Sequence, residues 1–303
     1  MDAVKLTLII LFTGLVRCAW AAPHQVILVG PADSAQLVAF RQALSAQLDP
    51  DWQVGYLPGN DLKPTLPDLP EVLWVTLGRE ALQQLVALDL PRQNQHVLSL
   101  YVSRRDFESL TQGIPKQNLI SAIYADAPLV RQINLAHLLA PQARRIGVLS
   151  FQPLTLVLPD SLTAQAEISN LALAEAESLS KYLADTIREC DILVGTEDPD
   201  LFNSINIKPL LMTAYRHNKF LIGPGYGFVS AGSLATTYAS QSDTLRELSA
   251  WLRQYGHTEV WPAPRYALEF SVVVNAQVAR SLNLTLPEEN ALKRQLTTLE
   301  GSP

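Results

Sequence analysis

Cysteine is nearly absent: the 303 residues include only Cys18 and Cys190, so most of the chain keeps a single thiol and no internal disulfide can staple it. Its stability must come from a packed core. The five histidines, His24, His96, His137, His217 and His257, stand far apart and offer no local spacing of metal ligands; neither a metal nor another cofactor is expected. Positive charge is in deficit, with 23 Lys and Arg against 29 Asp and Glu and a net charge of −6, which leaves no basic footprint for a nucleic-acid backbone. Glycine is sparse at 14, and the run Gly223-Pro-Gly-Tyr-Gly227 lacks the Gly-Lys-Ser/Thr ending of a phosphate loop, so it reads as a cleft-lining loop. A G-x-S-x-G nucleophile elbow is missing as well. Enzymatic turnover is not expected.

A transmembrane anchor is also not expected. The apolar run Leu6 to Val16 spans eleven residues, whereas a helix needs about 20 to cross a bilayer. With Lys5 before it and Ala19-Trp-Ala21 after it, the run has the layout of a cleaved secretory signal. Cleavage after Ala21 is favoured because cutting one residue later would put Pro23 first. A lipid on Cys18 would require a small residue where Arg17 stands. The expected location is therefore the periplasm.

What the sequence does hold is a 48% hydrophobic composition in which apolar β-type runs alternate with helical stretches. That alternation predicts an α/β fold of parallel strands covered by helices. In the first half the predicted strands are 26–30, 53–57, 72–77, 96–102 and 119–124, with helices at 35–48, 79–88, 104–112 and 127–139. The pattern restarts at Arg145, with strands at 145–150, 171–176, 192–196, 220–223 and 234–238 and helices at 159–168, 178–188, 203–217 and 245–255. Two Rossmann-like lobes result, residues 22–140 and 141–260, joined by a short connection. Residues 261–303 add a crossover, a strand at 267–274 and a helix at 275–282.

In parallel sheets ligands bind beyond the carboxyl ends of the strands. Two strand-end loops match each other across the lobes, Thr76-Leu-Gly78-Arg79 and Gly195-Thr196-Glu197-Asp198-Pro199. Thr76 and Thr196 are candidate ligand hydroxyls or strand-end turn residues. Gly78 opens the first loop. Asp198 either caps the turn begun by Pro199 or faces a cationic ligand group. Tyr101, Tyr124, Phe151, Tyr226 and Phe228 lie at or just after strand ends, where each either packs or walls a cleft. Asp126, Glu197 and Asp198 are carboxylates in such loops, with separations the sequence does not supply. Cys190 reads as a small buried hydrophobe.

The tail PRYALEFSVVVNAQVARSLNLTLPEE, Pro264 to Glu289, closely resembles the C-terminal signature of the periplasmic substrate-binding proteins of ABC transporters, in a branch related to tryptophan and tyrosine binders. The segment from Thr196 to Ser240 also resembles that family, in its Asp-Pro-x-x-(Tyr/Phe)-Asn strand end, leucine-rich helix, Ile-Gly strand and Val-x-Ala-Gly-x-Leu turn. PQARRIGVLS and, in the first lobe, VTLGREAL agree with it. The resemblance implies a type I-like periplasmic binding fold, a monomer that closes by hinge rotation on a small polar or aromatic solute. It implies ligand contacts at Thr76, Gly78, Thr196 and Asp198. Its implied partners are a membrane permease and its ATPase, or alternatively a membrane-bound sensor kinase or cyclase. Where amino-acid-binding relatives carry Gly-Gly-Asn, this chain has Asn118, Leu119, Ile120 and Ser121, which points away from an amino acid ligand.

Overall fold

The computed structural model describes residues 24–31, 35–63, 72–89, 95–115, 119–173 and 179–301. The expected signal segment, residues 1–21 with Cys18, lies outside them, as does Asn118.

Two six-stranded sheets form. The first has the order β11-β5-β4-β3-β1-β2, built from β1 (His24–Gly30), β2 (Trp52–Pro58), β3 (Val72–Leu77), β4 (His96–Val102), β5 (Ile120–Tyr124) and β11 (Arg265–Tyr266), all pairing in parallel. The second has the order β12-β10-β9-β8-β6-β7. It comprises β6 (Arg145–Ser150), β7 (Glu167–Ala172), β8 (Ile192–Gly195), β9 (Leu221–Ile222), β10 (Ala235–Tyr238) and β12 (Ser271–Val274), with β12 antiparallel to β10. The predicted two-lobe α/β architecture is observed.

Parallel strands buried on both faces need continuous apolar runs, and β3 illustrates the consequence. Its side chains alternate, Leu73 and Val75 entering the core beneath α1 (Ala35–Gln47) and α9 (Gln241–Thr258), while Val72 and Trp74 enter the core beneath α2 (Arg79–Ala87) and α3 (Arg104–Thr111). In the second lobe α4 (Leu129–Leu139), α10 (Ala276–Ser281) and α11 (Glu289–Glu300) cover one face. The other face takes α6 (Leu179–Thr186), α7 (Ile207–Arg216) and Cys190, buried as expected.

Helix ownership departs from chain order. The helix α4 lies before residue 140 but packs its Ile133, Leu135 and Ala136 in the second lobe, and α9 lies before residue 260 but packs Leu245, Leu248 and Trp251 in the first. The chain therefore crosses between lobes after β5, after β10 and after β11. An amphipathic stripe specifies that a helix is covered on one side, not which sheet covers it.

Four further elements differ from expectation. The predicted helix at 159–168 is only the single turn α5 (Asp160–Thr163), and the strand expected from 171 begins four residues earlier, as β7 (Glu167–Ala172), with 174–176 outside the described residues. As an edge strand paired with β6 alone, β7 tolerates an exposed Glu167 and half-buried Ser169 and Asn170. The glycine-rich run leads into a short helix, α8 (Tyr226–Ala231). Finally, α11 forms at the C-terminus on the buried pair Leu292 and Leu296, an i, i+4 spacing on one helix face.

Candidate functional site

Residues that follow the strand ends of both sheets line one set of connected hollows between the lobes. The largest, about 700 Å³, is lined by Arg104, Arg105, Glu108, Asp126 and Tyr266 of the first lobe and by Glu197 of the second. An adjoining hollow of about 460 Å³ lies between Arg79, Ser103 and Asp106 on one side and Asp198, Pro199, Phe202 and Phe228 on the other. A third, about 180 Å³, adds Gln132, Leu154, Gly195 and Thr196. Glu197 borders all three.

The floor on the second-lobe side is made of tied-down polar groups. Thr196 donates its hydroxyl hydrogen to the Leu149 carbonyl oxygen at 2.8 Å, locking the end of β8 to the end of β6. Asp198 accepts from the Phe151 N–H at 2.7 Å and from the Asp200 N–H at 3.1 Å, and its carbonyl oxygen accepts from Leu201 and Phe202. The carboxylate is thus engaged as a cap. Asp198→Ala is expected to lower unfolding stability by about 2 kcal/mol; an unchanged midpoint in a urea titration would contradict that role. Gln132 donates to Thr236 Oγ1 at 2.8 Å and accepts from the Thr237 N–H at 3.1 Å, holding α4 on β10 beside the cleft.

On the first-lobe side the guanidinium groups are already paired. Arg104 meets Glu108 at 2.7 Å and also donates to the Tyr266 hydroxyl. Arg79 meets Asp106 at 3.1 Å, and Arg105 reaches across the cleft to Asp200 at 3.9 Å. The α3 helix, which carries Arg104 and Arg105, is capped by Ser103, whose hydroxyl accepts from the Asp106 N–H.

Two carboxylates remain. Asp126 accepts from the Arg104 N–H at 2.8 Å, and burial raises its carboxyl above the usual range despite that bond. Glu197 has no hydrogen-bond donor or cation beside it among the described residues. Although Glu197 keeps solvent contact, its carboxyl is pushed up to about 7, first by the desolvating cleft walls and second by the charge of Asp126. In such a pair the group that ionises second carries the repulsion, and here that is Glu197. A carboxyl raised on folding contributes stability that is complete below its unfolded value and is lost as pH rises through its folded value. The ligand-free protein is therefore expected to lose melting temperature relative to Glu197→Gln as pH rises from 4.5 to about 7. Parallel melting curves for the two proteins across that interval would refute this.

The other predicted residues are placed as follows. Thr76 is wholly buried and donates to Ser99 Oγ at 2.9 Å, so the hydroxyl expected at a ligand instead joins β3 to β4. Gly78 has φ +96°, donates its N–H to the Leu100 carbonyl oxygen, and borders a separate hollow of about 400 Å³ with Gly59 and Gln84. Tyr101, also at positive φ, sets its ring edge against Phe40 of α1 and bonds Thr244 of α9. Tyr124 is buried behind the cleft wall, 5.2 Å between ring centroids from Tyr266 and 5.8 Å from Phe107. Phe151 packs beside the second-lobe core. Tyr226 is half exposed and packs on Tyr238 at 4.8 Å, outside the lining of the three hollows. Of the predicted residues, Thr196, Asp198 and Phe228 border the cleft, as do the loop carboxylates Asp126 and Glu197. The first-lobe contributors Arg104, Arg105 and Tyr266 escaped sequence reasoning. Tyr266 reaches the site through the two-residue strand β11, far from β5 in sequence.

No protein-family model matches the chain, and no curated protein matches it by sequence. Solved structures do match. The ligand-free, open structure of a substrate-binding protein with adhesive properties from Clostridium difficile superposes with a TM-score of 0.61 at 13% identity, covering 88% of this chain and 96% of that one. This chain shares the fold of a substrate-binding protein. A conserved domain protein from Vibrio cholerae matches with a TM-score of 0.50 at 14% identity, over 89% of this chain and 97% of that one. The likeness is one of fold, in agreement with the two-lobe architecture that the sequence resemblance implied.

Proposed function

We propose that this protein is an exported solute-binding protein that captures a small solute between its lobes and presents it to the permease and ATPase of an ABC-type importer. The observation that carries this reading is the interlobe cleft, to which the strand-end loops of both sheets contribute and whose largest hollow is about 700 Å³, within the size range of small-molecule sites. Three chain crossings join the lobes, a connection suited to hinge closure. The likeness in fold to a ligand-free, open substrate-binding protein supports the same reading. Arg104, Arg105, Asp126 and Tyr266 on one side and Thr196, Glu197 and Phe228 on the other are the proposed contact surface. No described helix is long and apolar enough to cross a membrane, and the proposed export rests on the signal pattern, with a mature N-terminus at Ala22.

A thermal-shift screen of the purified protein against sugars, nucleosides, amines, amino acids and organic acids tests the binding role. A solute at 100 times its dissociation constant adds about 2.7 kcal/mol to stability, which moves the melting temperature by several degrees. No shift with any class would remove the proposal.

A further inference from the structure

We propose that the solute of the interlobe cleft carries a cationic nitrogen, an amine or guanidinium, and no carboxylate, and that this cation is what permits the lobes to close. The inference rests on the solute-binding reading and adds the chemistry of the solute.

Charge pairing around the cleft is uneven. Each guanidinium at its edge has a carboxylate of its own: Arg104 has Glu108, Arg79 has Asp106 and Arg105 has Asp200. The Asp198 carboxylate is occupied by the N–H groups of Phe151 and Asp200. After that assignment two acidic groups are left without an ion pair among the described residues, Asp126 and Glu197, and both border the same hollow. They also belong to opposite lobes, since Asp126 follows β5 in the first sheet and Glu197 follows β8 in the second.

Closure moves those two carboxylates toward each other while expelling the water that screens them, and like charges in a drier cleft repel more strongly. The empty cleft therefore resists closing, and a cation lodged between the two groups reverses the sign of that interaction. An anionic solute, or the carboxylate of a zwitterion, meets no unpaired guanidinium and two uncompensated acids. An uncharged solute leaves the repulsion in place. A bare metal ion fits poorly, because no group of three or more His, Cys, Asp or Glu side chains that could hold one exists among the described residues, and hard cations require more oxygen ligands than two. The Tyr266 hydroxyl and the aromatic wall of Phe202 and Phe228 suit the polar and apolar parts of an organic cation.

The test is calorimetric titration at pH 8 of the full protein with 1,4-diaminobutane, agmatine, butane-1,4-diol, 4-aminobutanoate, butanedioate and magnesium chloride, together with the broad solute screen described above. Wild type and Glu197→Gln are compared, with thermal melts confirming that the variant is folded. The expected result is binding of diaminobutane or agmatine with at least about tenfold weaker affinity in Glu197→Gln, and no heat from the diol or the dicarboxylate. The inference is overturned if the diol, butanedioate or magnesium binds as tightly as the diamine, or if Glu197→Gln binds the cation unchanged. It is also overturned if only a neutral or anionic solute from the broad screen binds, in which case the solute-binding reading survives. If no compound of either set binds, both fall.

Discussion

Arg131→Ala is expected to destabilise the protein by about 3–5 kcal/mol. Arg131 is 3% exposed and sits on α4 directly after the first crossing between lobes. Its guanidinium donates to both carboxylate oxygens of Glu300, at 2.6 and 2.8 Å, and to the carbonyl oxygen of Ala267 at 3.0 Å. The Phe270 ring stacks beneath it at 4.0 Å. One side chain thereby joins α4, the crossing after β11 and the end of α11. Removing it strands a partly buried carboxylate and a carbonyl oxygen and opens a void against Phe270, each a recognised source of large losses. Arg131→Lys keeps the charge but not the planar fork and should recover only part of the loss. The double variant Arg131→Met with Glu300→Leu removes both charges, and a buried ion pair replaced by apolar groups is often near neutral. Urea titrations order the variants, and an Arg131→Ala loss below about 1 kcal/mol would show that water replaces the guanidinium at Glu300 and at the Ala267 carbonyl oxygen.

The strands were the most legible part of the fold, because a parallel strand buried on both faces has to be apolar at consecutive positions. The expected bounds of β3, β4 and β6 coincide with those observed. Legibility failed where burial is partial. The edge strand β7 carries Glu167, Ser169 and Asn170, so its sequence resembles a polar helix. The beginning of α9 was written in Ser240-Gln-Ser-Asp243, since Ser240 and Asp243 form a capping box, four residues ahead of the apolar stripe that had marked the helix. The ownership of α4 and α9 was not legible at all, since Leu245, Leu248 and Trp251 make a stripe that fits either sheet.

For the candidate site, the rule that ligands gather beyond strand ends led to a second-lobe loop that borders the cleft, and the structure ties two of its side chains to backbone groups. Thr196 and Asp198 have short side chains that fold back onto backbone groups, as such residues do at turns. The longer Glu197 between them finds no such partner. Its signal in the sequence was a carboxylate in a strand-end loop with no basic residue nearby. Thr76 shows the converse: it lies one residue inside its strand end, deep enough for Ser99 to claim its hydroxyl.

Glu247→Ala is expected to cost about 3 kcal/mol, whereas Glu247→Gln should cost less than about 1. Glu247 lies on α9, directly after the second crossing, and is 3% exposed. One carboxylate oxygen accepts from the N–H groups of Leu268 and Glu269, at 2.9 and 3.1 Å, in the crossing after β11; the other accepts from Arg265 at 3.2 Å. Alanine leaves those backbone donors and Arg265 unmatched at a crossing. Burial nonetheless raises the Glu247 carboxyl above its usual range, the N–H donors and Arg265 offsetting the desolvation only in part. A raised carboxyl means that the folded protein holds the neutral form more readily than the unfolded chain does, so the ionised group is a net burden that falls away as pH drops. Glutamine imitates the neutral acid, keeps an oxygen for both N–H donors and never bears the charge. Wild type should therefore gain stability relative to Glu247→Gln as pH falls from 7 toward 4.5, because protonation makes the two chemically alike. If instead Gln costs as much as Ala at pH 7, the ion pair with Arg265 outweighs both N–H bonds, and this crossing is held chiefly by charge.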